Sequence, residues 1–173
     1  HPDDPGHPGV MAFHNDAKSK TYGGRKWHSD VTCDVEPPMA SILHLHAVPE
    51  TGGDTLFANM CTAYEALSPT LQDMLGGLTA HHSSEANFLG YYGAKGDDLR
   101  DGNYPEAEHP VVRTHPETGQ KALFVNEIFT SHIIGLEPEL SRQLLDFLYC
   151  HLSASRFQCR FRWRENSVAF WDN

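Results

Sequence analysis

Phe157-Gln158-Cys159-Arg160-Phe161-Arg162-Trp163 alternates apolar and polar residues without a break. Residues two apart on a strand share a face. Phe157, Cys159, Phe161 and Trp163 therefore line one side, and Gln158, Arg160 and Arg162 the other. Arg164-Glu165-Asn166-Ser167 reads as a turn, and residues 168–171 as a further strand leading to Asp172-Asn173. Far upstream, residues 41–48 alternate in the same way, with Ile42, His44 and His46 facing one way and Ser41, Leu43 and Leu45 the other. Pro49-Glu50-Thr51-Gly52-Gly53-Asp54 turns the chain into a short strand at residues 55–58. Residues 109–115 and 121–126 are two more strands, joined as a hairpin through Pro116-Glu117-Thr118-Gly119. Residues 27–33 are β-prone as well.

The helices are fewer. Asn59 caps a helix that runs to about Leu67, and Ser68-Pro69 supplies an N-cap followed by proline at the first helical position. Leu71, Met74, Leu75 and Leu78 form the apolar face of that second helix, which reaches Gly76-Gly77 or a little beyond. Over residues 137–152, Leu140, Leu144, Leu145, Leu148 and Leu152 recur at helical spacing. Short strands with few helices predict a mainly β architecture with flanking helices, either a sandwich or a jelly roll, and the pattern by itself leaves both open. Residues 1–26, rich in Pro, Gly and Asp, read as loop with one extended piece at 10–13. Residues 86–108 read as a long loop of the kind that forms lids. Neither an internal repeat nor a linker divides residues 1–173, so a single domain is expected.

A chain of 173 residues with 39% hydrophobic and 21% charged residues can build a real core. Its net charge of −10 disfavours nucleic acid and anionic membrane as partners. No apolar run is long enough to cross a bilayer, and the polar start, His1-Pro2-Asp3-Asp4-Pro5-Gly6, does not read as a signal peptide. The four cysteines form no CxxC pair. Cys61, Cys150 and Cys159 lie in apolar-patterned segments and are expected to be buried thiols, which suggests a reducing, cytoplasmic compartment.

Twelve histidines raise the question of metal chemistry, which spacing must answer. In Trp27-His28-Ser29-Asp30-Val31-Thr32, residues 28 and 30 on a strand would point the same way. An imidazole beside a carboxylate can hold two positions on a divalent metal. A distant histidine would complete the facial triad of non-haem Fe(II) oxygenases. Taken alone the tripeptide is weak, since most such pairs are surface residues or local hydrogen-bonded pairs. His44 and His46 share a strand face and are read as hydrogen-bonded residues of a sheet. His81-His82 follow a helix and are read as partners of its C-terminal end, and His109 and His115 flank prolines and are read as structural. Asp54 is read as organising its turn.

Context adds weight. Trp27-His28-Ser29-Asp30-Val31-Thr32 is followed by Pro37-Pro38, Gly52-Gly53-Asp54-Thr55-Leu56-Phe57-Ala58-Asn59-Met60 and Ala63-Tyr64-Glu65-Ala66-Leu67-Ser68. Next come His109-Pro110-Val111-Val112-Arg113-Thr114-His115-Pro116, Leu123-Phe124-Val125-Asn126, Phe129-Thr130, Arg162-Trp163 and Ala169-Phe170-Trp171-Asp172-Asn173. In this order the motifs resemble the taurine dioxygenase family over nearly the whole chain from Trp27 onward.

The resemblance implies a double-stranded β-helix, or jelly roll. It implies an Fe(II)- and 2-oxoglutarate-dependent dioxygenase that uses O2 to hydroxylate a small anionic organic substrate, releasing succinate and CO2. A sulfonate such as taurine, an alkyl sulfate and an aryloxyalkanoate are the three substrate classes. It implies His28 and Asp30 as iron ligands, Thr55 as a contact of 2-oxoglutarate, and Val31, Phe88 and Phe129 as residues beside the substrate. Asp30, in place of Gly or Ala, favours hydroxylation over halogenation. The family pattern continues past Trp171-Asp172-Asn173 to a distal histidine ligand and arginines, and it has an N-terminal part before His1. The sequence is therefore expected to be the central portion of the family domain, with homo-oligomers a family habit. Two rivals are a non-catalytic jelly-roll relative and a zinc hydrolase built on His28 and Asp30.

Overall fold

The computed structural model describes residues 10–14, 19, 24–92 and 104–173. The middle of the expected lid, residues 93–103, and most of the expected N-terminal loop lie outside the described residues. Residues 10–13, read as extended, belong to no strand.

The elements run β1 (Ala40–His44), β2 (Thr55–Ala58), α1 (Met60–Glu65), α2 (Pro69–Leu75), β3 (Thr79–Ser83), α3 (Glu85–Asn87) and a π-helical segment at Phe88–Tyr92. They continue with β4 (Glu106–Pro110), β5 (Val112–Thr114), β6 (Lys121–Leu123), β7 (Thr130–Ile133), α4 (Pro138–Leu152), β8 (Gln158–Phe161) and β9 (Val168–Asp172). All strand pairing among the described residues is antiparallel: β1 with β9, β2 with β8, β5 with β6, and β4-β3-β7 in that order. The molecule is mainly β with a few flanking helices, as the strand alternation predicted.

Local chemistry explains most element ends. The Asn59 side chain accepts the Thr62 N–H at 3.0 Å and starts α1; Ser68 accepts the Leu71 N–H at 3.4 Å and starts α2, with Pro69 behind it. Gly52 and Gly53 take φ of 79° and 77°, a left-handed course that only glycine adopts cheaply, and so turn the chain into β2. Helix α1 packs on β6 and α4 on β7. Ala63 and Tyr64 of α1, Leu75 of α2, Leu123 of β6, Ile133 of β7 and Leu145, Leu148 and Leu152 of α4 meet in one core. On α4 the expected face holds at Leu145, Leu148 and Leu152, which are buried, and at Leu144, which packs partly buried on the core; Ser141 takes the place expected of Leu140. Leu140 is consequently exposed, and the Ser141 hydroxyl accepts the Ile133 N–H at 2.7 Å, docking α4 on β7.

Several expectations are corrected. Residues 27–33 form no strand; residues 30–33 are a turn, closed by the Asp34 N–H donating to the Val31 carbonyl at 3.0 Å. The strand read at 41–48 ends at His44, leaving His46 outside it, and the strand read at 109–115 is broken at Val111 into β4 and β5. His81 and His82 are not at a helix end but on β3, and β7 is a further strand that the pattern did not reveal. Cys150 and Cys159 are exposed and Cys61 is half-buried; Cys33 is the buried thiol. Cys150 sits off the buried stripe of α4, and Cys159 lies on β8, whose only strand partner among the described residues is β2. Met74 is likewise exposed while Leu75 beside it is buried.

Val31 sits at φ 53°, where a β-branched side chain is strained by about 1–3 kcal/mol. Asparagine tolerates that region far better. Val31→Asn is therefore expected to raise stability by about 0.5–1 kcal/mol, the apolar side chain lost being an exposed one. A melting temperature several degrees below that of the unsubstituted protein would show that the turn is not strained.

Candidate metal centre

His28 lies just ahead of the turn at residues 30–33, and Asp30 opens it. His28 Nε2 lies 3.5 Å from Asp30 Oδ1, with the two side chains 29% and 36% exposed. The other polar atom of each side chain is already occupied. His28 Nδ1 donates to the Lys26 carbonyl at 2.8 Å, which leaves the Nε2 lone pair facing Asp30. Ser41 Oγ, on β1, donates to Asp30 Oδ2 at 2.7 Å. Two donor atoms converge while their opposite ends are held by the protein, the arrangement that orients metal ligands. An imidazole nitrogen and a carboxylate oxygen are the donors that a non-haem Fe(II) site uses, so the residues fit such an ion.

The backbone of Asp30 is clamped as well. Its N–H donates to Asn173 Oδ1 at 2.7 Å, and Asn173 Nδ2 donates back to the Asp30 carbonyl at 2.9 Å and to the Pro38 carbonyl at 3.0 Å. Asn173 is in place because β9 pairs with β1 in the register Ala40↔Asp172 and because its own N–H donates to the Met39 carbonyl at 2.9 Å.

On the other side of the turn, Thr32 is buried in a polar network. Asn126 Oδ1 accepts the Ile128 and Phe129 N–H groups at 3.1 and 2.9 Å, which fixes its amide so that Nδ2 donates to Thr32 Oγ1 at 3.0 Å. Thr32 Oγ1 also lies 2.9 Å from Nδ1 of the fully buried His82. Burial pushes His82 down to about 3, with His109, His81 and the Arg113 guanidinium adding to the effect, so it stays neutral. Residues Thr32, His82 and Asn126 were not recognised as site residues in the sequence. The one signal available was the Asn126-Glu127-Ile128-Phe129 stretch, whose leading asparagine suits a side-chain-closed turn.

The other expected site residues lie on separate elements. Thr55 opens β2, and its Oγ1 accepts the Trp163 Nε1–H at 2.8 Å. Phe129 is buried just before β7; Phe88 begins the π-helical segment, its ring 5.9 Å from Tyr104. Val31 belongs to the turn itself. A cleft of 260 Å³ opens between β7 and α4, lined by residues such as Thr130, His132, Arg142 and Tyr149, and it includes none of these expected residues. Among the described residues no third His, Cys, Asp or Glu joins the pair in a metal-binding group. His44 and His46 contact each other, with ring centres 4.2 Å apart. His109 donates to the Asp34 carbonyl and His115 pairs with Asp172, both structural contacts; Asp54 pairs with Arg160 across β2 and β8. No helix among the described residues is long and apolar enough to cross a membrane.

The hydrogen bond to Asp30 raises His28 above its ordinary 6.5, the Lys26 carbonyl helping and burial opposing; His28 in turn lowers Asp30 below 3.8. In the metal-free protein the His28 contribution is complete below pH 6.5 and fades as pH rises through the raised value. The Asp30 contribution is complete above pH 3.8 and fades as pH falls through the lowered value. A metal, however, needs neutral His28. Mn(II) affinity is expected to fall roughly tenfold per unit below the raised His28 pKa and to level off above it. Calorimetric titrations at several pH values check this; a flat profile from pH 5 to 8 would remove His28 from the site.

Over residues 1–173 the sequence matches the family described as taurine catabolism dioxygenase TauD, TfdA. The chain belongs to this family. It is 37% identical over 160 residues to an alpha-ketoglutarate-dependent sulfonate dioxygenase of Saccharomyces cerevisiae, covering 90% of this chain and 37% of the relative. It is 36% identical over 154 residues to an alpha-ketoglutarate-dependent sulfate ester dioxygenase of Pseudomonas putida, covering 85% and 51%. The crystal structure of a taurine dioxygenase from Burkholderia xenovorans superimposes with a TM-score of 0.70 at 39% identity, covering 84% of this chain and 48% of that one. The chain thus spans between about a third and a half of the length of these relatives.

Proposed function

We propose that residues 1–173 are the central portion of a single jelly-roll dioxygenase domain that uses Fe(II) and 2-oxoglutarate to oxidise a small organic anion with O2. The observation that carries this reading is the convergence of His28 Nε2 and Asp30 Oδ1, each side chain anchored at its other end. In this reading His28 and Asp30 hold the iron, which when bound supplies the activation of O2. His28 donates its Nδ1 proton to the Lys26 carbonyl and offers Nε2 as a neutral ligand. Asp30 remains ionised, its carboxylate stabilised by the hydrogen bond that Ser41 Oγ donates. Thr55 already accepts a hydrogen bond from Trp163, so its own hydroxyl proton is free to donate to a carboxylate of 2-oxoglutarate. Val31, Phe88 and Phe129 supply apolar surface beside the substrate.

The names of the relatives favour an organosulfur anion, a sulfonate or a sulfate ester, as substrate, with an aryloxyalkanoate as the third class to assay. Oxidation next to the heteroatom would release the anion. A cytoplasmic location fits such an enzyme. The test is an anaerobic titration with Fe(II) and 2-oxoglutarate, followed by each class of anion and then O2. A visible charge-transfer band that one class perturbs, with succinate formed in step, supports the reading. Absence of both, or turnover with zinc and without O2, sinks it in favour of a binding protein or a hydrolase.

A further inference from the structure

We propose that His82 is a positioning residue for the metal pair, holding the turn that aims Asp30 although it touches neither ligand. The proposal rests on the reading of His28 and Asp30 as metal ligands.

Three observations carry it. The first is the strained link: Val31, at φ 53°, lies between Asp30 and Thr32. Such a conformation persists only when the structure fixes both sides of it. Asn173 fixes the Asp30 side, and Thr32 is the fixed point on the other, 1% exposed and bonded to His82 and Asn126.

The second is the direction of the bonds. Asn126 Nδ2 donates to Thr32 Oγ1, because two backbone N–H groups fix the amide. If the Thr32 proton goes to His82 Nδ1, one polar atom of the network remains unpaired, His82 Nε2, which has no partner among the described residues. The opposite assignment leaves both that nitrogen and the Thr32 proton unpaired. His82 is therefore an acceptor at Nδ1, a role that requires it neutral, and its burial keeps it so.

The third is how firmly the ring is held. On the inner face of β3 and β4, Ala80 opposes His109 and His82 opposes Ala107. The small alanines leave room for the two rings, which meet edge to face with centres 5.2 Å apart; Phe124 stacks on His82 at 5.7 Å. The β3–β7 register shifts between His81 and His82, with Ser131 of β7 the residue left over, so the ladder is broken beside the His82 ring. A buried histidine with an unpaired nitrogen is costly, and the surrounding groups here are arranged to retain it.

The test is Mn(II) affinity of the purified protein, measured with thermal unfolding of each variant. His82→Leu and Thr32→Val are expected to weaken Mn(II) binding about 10–100-fold, with the double variant little worse than either. Thr32→Ser, which keeps the hydroxyl, should bind within about threefold of the unsubstituted protein. His82→Asn places an acceptor near the Nδ1 position and should bind nearly as well; His82→Gln, whose amide reaches the Nε2 position, should not. That last pair keeps the test decisive if the apolar variants fail to fold. Folded variants with lowered melting temperatures but unchanged affinity, or Asn and Gln behaving alike, would overturn the positioning role. No Mn(II) binding by the unsubstituted protein, or undiminished binding by Asp30→Ala, would overturn the metal reading and this proposal with it.

Discussion

Asp30→Ala and His28→Ala are each expected to reduce 2-oxoglutarate-dependent succinate formation by about a thousandfold or more, equivalent to roughly 4 kcal/mol. Each removes one of the two converging donor atoms, and no other His, Cys, Asp or Glu among the described residues stands ready to replace it. The fold should survive. Asp30→Ala keeps both backbone hydrogen bonds to Asn173, and among the described residues the side-chain partners lost are His28 and the hydroxyl of Ser41. His28→Ala frees the Lys26 carbonyl on an exposed segment and removes the contact with Asp30, whose carboxylate keeps the Ser41 hydroxyl. Loss of turnover together with the charge-transfer band, in a protein that melts within a few degrees of the original, is the expected combination. Turnover retained by either variant would show that the iron is held elsewhere.

Asn126→Ala should be the most destabilising change in the polar interior. The side chain is 4% exposed and makes three hydrogen bonds, accepting from two backbone N–H groups and donating to Thr32. Alanine leaves the two donors and the Thr32 oxygen without that partner in a place where water has little access. Each unsatisfied group costs about 1–3 kcal/mol, so a total of about 3–5 kcal/mol is expected. Asn126→Asp keeps both accepting bonds and should lose less. Urea unfolding measures both, and a loss below about 1 kcal/mol for the alanine variant would mean that water replaces the amide.

The parts of the fold that could be read in advance are those in which local chemistry and burial agree. Asn59 and Ser68-Pro69 start helices, the leucines of α4 recur at helical spacing, and β5 and β6 close through a turn with Gly119 at φ 71°. β3 escaped because its inward residues are Ala80 and His82, one small and one polar, so Thr79-Ala80-His81-His82-Ser83 carries no apolar alternation. The two residues of the metal pair were legible from their types and neighbours, but their backbone was not. A segment that looked β-prone is bent by the Asp34-to-Val31 hydrogen bond and by contacts from distant strands. Thr32, His82 and Asn126 come together across separations of 50 and 94 residues, which no local pattern encodes.

The Asn173 clamp on Asp30 joins positions 143 residues apart. Closing a chain segment of that length costs about 4 kcal/mol in entropy beyond a constant, a cost that the clamp shares with the β1–β9 pairing, whose register already sets Asp172 against Ala40. During synthesis the turn would exist with one side unfixed until the ribosome reaches Asn173, 143 residues on. Metal capture would then be a property of the finished strand pair and not of the emerging chain, which shields a half-built site from unproductive binding. Stalled nascent chains released before and after β9 would show the difference directly: only the longer should retain Mn(II) through a desalting column.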